Sequence, residues 1–160
     1  AALATIRENN DIQFIWQTGK YYYPQVTEAV RAAGELPNLY VTDFIKDMAA
    51  AYAASDLVIS RAGAGSISEF CLLHKPVVLV PSPNVAEDHQ TKNALALVDK
   101  QAAIYVKDSE AEAKLMDVAL NTVADDRKLK ELSENIAKLA LPDSARIIAQ
   151  EVIKLAEAEN

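Results

Sequence analysis

The chain carries one cysteine, two histidines and no long apolar run, and each scarcity excludes something. A lone Cys71 cannot form an internal disulfide and fits a reducing compartment. It falls on the apolar side of a helix with no basic neighbour, so it reads as a small core residue rather than a nucleophile. No stretch approaches the ~18 apolar residues of a bilayer-spanning helix, and the N-terminus shows no signal-peptide pattern. His74 and His89 join no Cys, His or carboxylate cluster with metal-ligand spacing, so no metal site is expected. Neither histidine sits in a serine or cysteine hydrolase arrangement, so no catalytic residue is assigned. Basic charge is also short: 16 Lys and Arg face 23 Asp and Glu, for a net charge of −7. That balance argues against nucleic-acid binding by phosphate neutralisation. The run Tyr21-Tyr22-Tyr23 lacks the basic neighbours of a base-stacking platform.

What is present is a core-forming pattern. The 160 residues are 51% hydrophobic and 24% charged, a balance typical of one globular domain able to bury roughly 70% of its unfolded surface. Short apolar runs at 12–16 (IQFIW), 39–41, 57–59, 77–80 (VVLV) and 103–106 read as strands. Helical spacing fills 3–8, 22–33, the alanine-rich segment opened by Asp47, then 66–73 and 88–99. Three closing helices, at 110–123, 126–139 and 144–159, read as packing elements. Alternation of this kind predicts an α/β fold, a doubly wound, Rossmann-like parallel sheet covered on both faces. Residues 1–160 form one domain, without repeat or linker. The opening AALATIRENN already reads as mid-helix, as though cut from a longer protein. Ligands of such sheets bind at the carboxyl ends of the strands, here the loops at 17–23, 43–47, 60–66 and 81–90.

The third of these loops is the most informative. In DLVISRAGAGSISE a strand ends in Gly63-Ala64-Gly65-Ser66 and restarts as a helix. Amides left unpaired at the positive end of a helix dipole suit a phosphate. The same residues also suit a tight turn in which Ser66 only caps, and the motif lacks the third glycine of the dinucleotide fingerprint, where Ser68 stands. Glu69, one turn in, is either a carboxylate favoured by the dipole or a clamp on two adjacent sugar hydroxyls. In PSPNVAEDHQTKNA, Asp88 is placed to cap a helix, and His89, Gln90 and Asn93 crowd its start with groups that read sugar hydroxyls or merely face solvent. Around Ile45 the backbone is placed to read a base edge, with Phe44 and Ile45 otherwise packing into the core. Lys20 reaches for phosphate or is simply solvated.

Together, VTDFIKDMAAAYAASDLVISRAGAGSISE and PVVLVPSPNVAEDHQTKNA resemble the C-terminal half of the MurG family, from about Ile12 to the C-terminus. The resemblance implies the donor half of a two-domain GT-B glycosyltransferase that transfers GlcNAc from UDP-GlcNAc to lipid I, giving lipid II, with inversion and no cofactor or metal. It implies uracil recognition by the backbone at Ile45, diphosphate contacts from Gly63, Ala64, Gly65 and Ser66, ribose binding by Glu69, and contacts of His89, Gln90 and Asn93 with the GlcNAc. Members often carry glutamine at His89 and some carry serine at Ala62. The family's N-terminal domain, with its acceptor site, its general base and its surface toward the cytoplasmic face of the membrane, is expected to be missing. The donor domain's first strand and its glycine-rich loop are expected to be missing too. The fragment alone is therefore expected to be inactive. Two other readings stay open: a stand-alone subunit similar to the small subunit of the dolichol-linked chitobiose synthase, and a nonenzymatic nucleotide-sugar-binding module.

Overall fold

The computed structural model describes residues 2–84 and 88–158. The middle of the 81–90 loop, residues 85–87, and the expected helix end at Glu159 lie outside the described residues. Elements alternate along the chain: α1 (Ala2–Glu8), β1 (Phe14–Gln17), α2 (Gly19–Ala33), β2 (Leu39–Thr42), α3 (Met48–Ala54), β3 (Val58–Ser60), α4 (Ala64–Leu73), β4 (Val77–Leu79), α5 (His89–Val98), β5 (Ile104–Tyr105), α6 (Asp108–Val123), α7 (Asp126–Ala137) and α8 (Ser144–Ala158). Every strand pairing is parallel, as expected when each strand returns through a helix.

The core is built on both faces of β4. Val77 and Leu79 point into a cluster with Phe70, Cys71, Leu97 and Ile136, the inner faces of α4, α5 and α7. Val78 and Val80 point the other way, onto Val106 just past β5 and onto Leu115 and Val118 of α6. The period of two makes both halves of VVLV apolar, because a strand covered on both sides has no wet face. Cys71 is buried in the first cluster, and burial pushes its thiol pKa up, as the reading of a core residue requires. At the other end of the chain, buried Asn38 ties α1 to the first sheet: its Nδ2 donates to the carbonyls of Ile6 (2.9 Å), Asn9 (3.0 Å) and Ile12 (3.1 Å).

The strands do not close into one sheet. β1 pairs with β2, and β3–β4–β5 form a second sheet, with no ladder between β1 and β3 among the described residues. Ile15 is 48% and Ile59 43% exposed, although both sit in apolar runs that read as buried. An apolar run reports that a strand is meant to be covered, not which segment covers it. The closing helices also divide. Helices α6 and α7 pack, but residues 141–157 are exposed throughout, so α8 does not serve as the packing element the sequence predicts. Its Ile148, Val152 and Leu155 follow the i, i+4, i+7 spacing of one helix face, and all three are exposed.

Candidate functional site

The glycine turn after β3 starts its helix early. Gly63 is the N-cap of α4, in extended conformation (φ −68°, ψ 140°), so Ser66 lies within the first turn and does not cap. The first helical bond runs from the Ile67 N–H to the Gly63 carbonyl, 3.0 Å. The amides of Ala64, Gly65 and Ser66 precede it, where a helix offers no internal acceptor, and among the described residues no side chain caps them. Neither glycine here is needed for a left-handed backbone, since positive-φ glycines are Gly19 and Gly34. Nor does packing demand them: a Cβ built on Gly63 or Gly65 meets nothing within 4 Å. Among the described residues nothing crowds either Cβ position, and the turn sits at the positive end of a ten-residue helix.

Two side chains from α5 brace the turn. Gln90 Oε1 accepts from the Ala62 N–H (3.2 Å) and from the Ser82 N–H (2.9 Å). Asn93 Nδ2 donates to the Ala62 carbonyl at 3.1 Å. Ala62 itself is fully buried. With its oxygen shared by two amides, Gln90 ties the turn at Ala62 to the loop at Ser82. His89 opens α5 and is exposed. Asp88 holds the N-cap position but makes no capping bond; its backbone is left-handed (φ 54°), not the extended conformation from which a cap side chain reaches the helix amides. The expected Asp88 cap is therefore corrected, whereas Asp47 does cap α3 by accepting from the Ala50 N–H.

Glu69 lies one turn beyond the open amides and is exposed. Its Oε2 accepts from the Tyr52 hydroxyl at 3.1 Å. Tyr52 stands on α3, its ring edge-on to buried Phe70 at 5.7 Å between centroids. Burial, then the hydrogen bond to Glu69 and its negative charge, push the Tyr52 pKa up to about 12, so the phenol keeps its proton and remains a donor.

The 43–47 loop borders an open cleft of about 580 Å³, lined by Ile15, Tyr40, Phe44, Ile45 and Lys46 among others. Phe44 is 61% exposed, which corrects its reading as a core side chain. The Ile45 N–H donates to Gln17 Oε1 at 2.8 Å, so a base reading that amide has to displace the Gln17 side chain. Lys20 is exposed within α2. Among the described residues no group of three His, Cys, Asp or Glu could hold a metal, and no helix is long and apolar enough to cross a membrane.

Residues 1–148 match the glycosyltransferase family 28 C-terminal domain. The chain belongs to this family. Over all 160 residues it is 99% identical to the UDP-N-acetylglucosamine–N-acetylmuramyl-(pentapeptide) pyrophosphoryl-undecaprenol N-acetylglucosamine transferase of Bacteroides thetaiotaomicron, and it spans 43% of that protein's length. The transferase of the same name from Bacteroides fragilis is 80% identical over 157 residues, 98% of this chain and 41% of that one. The crystal structure of Acinetobacter baumannii MurG matches with a TM-score of 0.81 and 28% identity, covering 96% of this chain and 44% of the other. The chain thus spans less than half the length of each of these three relatives. The resemblance to the MurG family and the α/β, GT-B type of fold are borne out.

In this family 28 domain, sequence reasoning missed three residues at the site. Tyr52 is hidden in an alanine-rich helix. Arg61 pairs with Asp108 and donates to the carbonyls of Val80 (3.1 Å) and Pro81 (3.3 Å), pinning the ends of two strands beside the turn. Gln17 holds the Ile45 amide. Arg61 and Gln17 carried only the signal of their loops, 60–66 and 17–23; Tyr52 gave none.

Proposed function

We propose that this domain holds the donor nucleotide of an inverting glycosyltransferase that moves GlcNAc from UDP-GlcNAc to lipid I, giving lipid II for peptidoglycan. The observation that carries the reading is the turn at Gly63 and Gly65: two glycines required neither by backbone angle nor by packing, beside amides that have no acceptor among the described residues. A close-approaching diphosphate accounts for both. The helix end contributes about 0.3–2 kcal/mol to an anion before hydrogen bonds are counted. As the bond to the sugar breaks, negative charge grows on the departing diphosphate, and the preorganised amides of Ala64, Gly65 and Ser66 stabilise it where it develops. Glu69, accepting only, takes the ribose hydroxyls. Uracil enters the cleft at Ile45, and His89, Gln90 and Asn93 face the GlcNAc.

The acceptor site, the general base and the surface that meets the cytoplasmic face of the membrane belong to the portion of the longer protein outside these 160 residues. The open strands β1 and β3 and the uncovered apolar face of α8 support packing against that portion. The length of the relative at 99% identity, more than twice this chain, favours this reading over a stand-alone subunit. Calorimetry with UDP-GlcNAc, UDP-GalNAc and UDP-glucose tests it. UDP-GlcNAc binds the chain tightest, while the chain alone transfers no GlcNAc. Absence of UDP-GlcNAc binding at millimolar concentration, or transfer by the chain alone, overturns it.

A further inference from the structure

The Tyr52–Glu69 pair adds a polar link between two helices that already meet through the Tyr52–Phe70 ring contact. Tyr52 comes from α3 and Glu69 from α4, and the phenol oxygen lies 3.1 Å from Glu69 Oε2. A glutamate on an exposed helix face samples many rotamers, and ordering such a side chain on binding costs about 0.5–1.5 kcal/mol. The Tyr52 ring is not free to follow it. Its edge-on contact with Phe70, which is 1% exposed, anchors the ring to the core. The helix carrying it is fixed by the Asp47 cap and by Lys75 Nζ, which donates to the Ser55 carbonyl at 2.9 Å. The hydroxyl is thus a fixed point on the rigid scaffold, and it engages one carboxylate oxygen.

We infer that Tyr52 is a positioning residue for ribose recognition: by donating to Glu69 Oε2 it sets the carboxylate so that Oε1 accepts from the ribose hydroxyls of the bound nucleotide. This rests on Glu69 being the ribose clamp. It makes the selectivity for ribose over deoxyribose depend on a residue that touches no part of the nucleotide. Tyrosine suits the task because it is neutral, stiff and amphipathic. Phenylalanine keeps the packing and deletes only the donor.

The test compares the chain with Y52F, E69A and the double variant, using UDP, 2′-deoxy-UDP and inorganic pyrophosphate as probes in calorimetry, with melting curves alongside. Y52F weakens UDP about two- to twelvefold, the equivalent of one side chain left to be ordered on binding. It weakens 2′-deoxy-UDP less, so the preference for ribose shrinks. Pyrophosphate, which has no sugar, binds Y52F and the parent alike. In the E69A background Y52F adds nothing further, as for two residues acting through one contact. Equal weakening of UDP, 2′-deoxy-UDP and pyrophosphate by Y52F makes the residue merely structural and overturns the inference. So does an unaltered ribose preference in Y52F when E69A abolishes it. Failure of E69A to weaken UDP overturns the ribose reading itself, and the inference with it.

Discussion

Replacing Gly65 with alanine separates the fold's needs from the ligand's. Gly65 is the second residue of α4, its φ is not in the left-handed region, and a Cβ there meets nothing within 4 Å. Alanine fits without strain. It restricts the unfolded chain and favours the helix, for a gain of about 0.4–1 kcal/mol. In a domain of this size that raises the melting temperature by about 1–4 °C. In the proposed site the same methyl stands where the diphosphate would approach the amides. Losing one hydrogen bond to a charged group costs about 1.5–3 kcal/mol, a weakening of about 12- to 160-fold. Scanning calorimetry and titration with UDP and pyrophosphate read the two effects on one sample. A variant that is more stable and binds poorly is the expected result. A variant that binds UDP as the parent does refutes the cradle, and one that melts lower refutes the claim that the fold leaves Gly65 unconstrained.

Other expectations follow from the buried groups. The folded chain holds the Tyr52 proton more tightly than the unfolded chain, whose phenol titrates near the ordinary 10.0, because burial and Glu69 raise its pKa to about 12. The stability this lends is whole below pH 10 and is lost as pH climbs through about 12. Ultraviolet difference titration of the parent against Y52F should locate the missing phenol near the upper value. Cys71, buried with its thiol pKa raised, should react with a thiol reagent only on unfolding, and fast labelling of the native chain contradicts its core placement. Ile136 is fully buried against β4, so Ile136→Ala should cost about 2–5 kcal/mol in denaturant unfolding. Gln90→Leu leaves the Ala62 and Ser82 amides without their acceptor. It should cost about 1–3 kcal/mol and weaken UDP as well.

Period and punctuation made the order of elements legible. VVLV between prolines is a strand covered on two faces, and it became β4. The glycine turn and Asp47 marked helix starts, although α4 begins at Ala64 because Gly63, lacking any side chain, can sit at the N-cap. The division into two sheets was not legible, because pairing depends on which strand lies alongside, and FIWQ or LVIS does not encode that. Nor was α8: an amphipathic helix looks the same whether its apolar face is covered or waiting. Glu69 and the turn stood out because their chemistry is local. Tyr52, Arg61 and Gln17 act across 17, 47 and 28 residues of sequence, so only the tertiary fold brings them to the site. Gln90 and Asn93, expected to contact the sugar, show bonds that brace the turn at Ala62.

Amide chemical shifts recorded while UDP is added to the chain test the central claim most directly. The largest changes are expected at Ala64, Gly65 and Ser66, with the Glu69 region following. Changes confined to the cleft of about 340 Å³ at the opposite end of the strands, around Ser55, His74 and Lys130, contradict it.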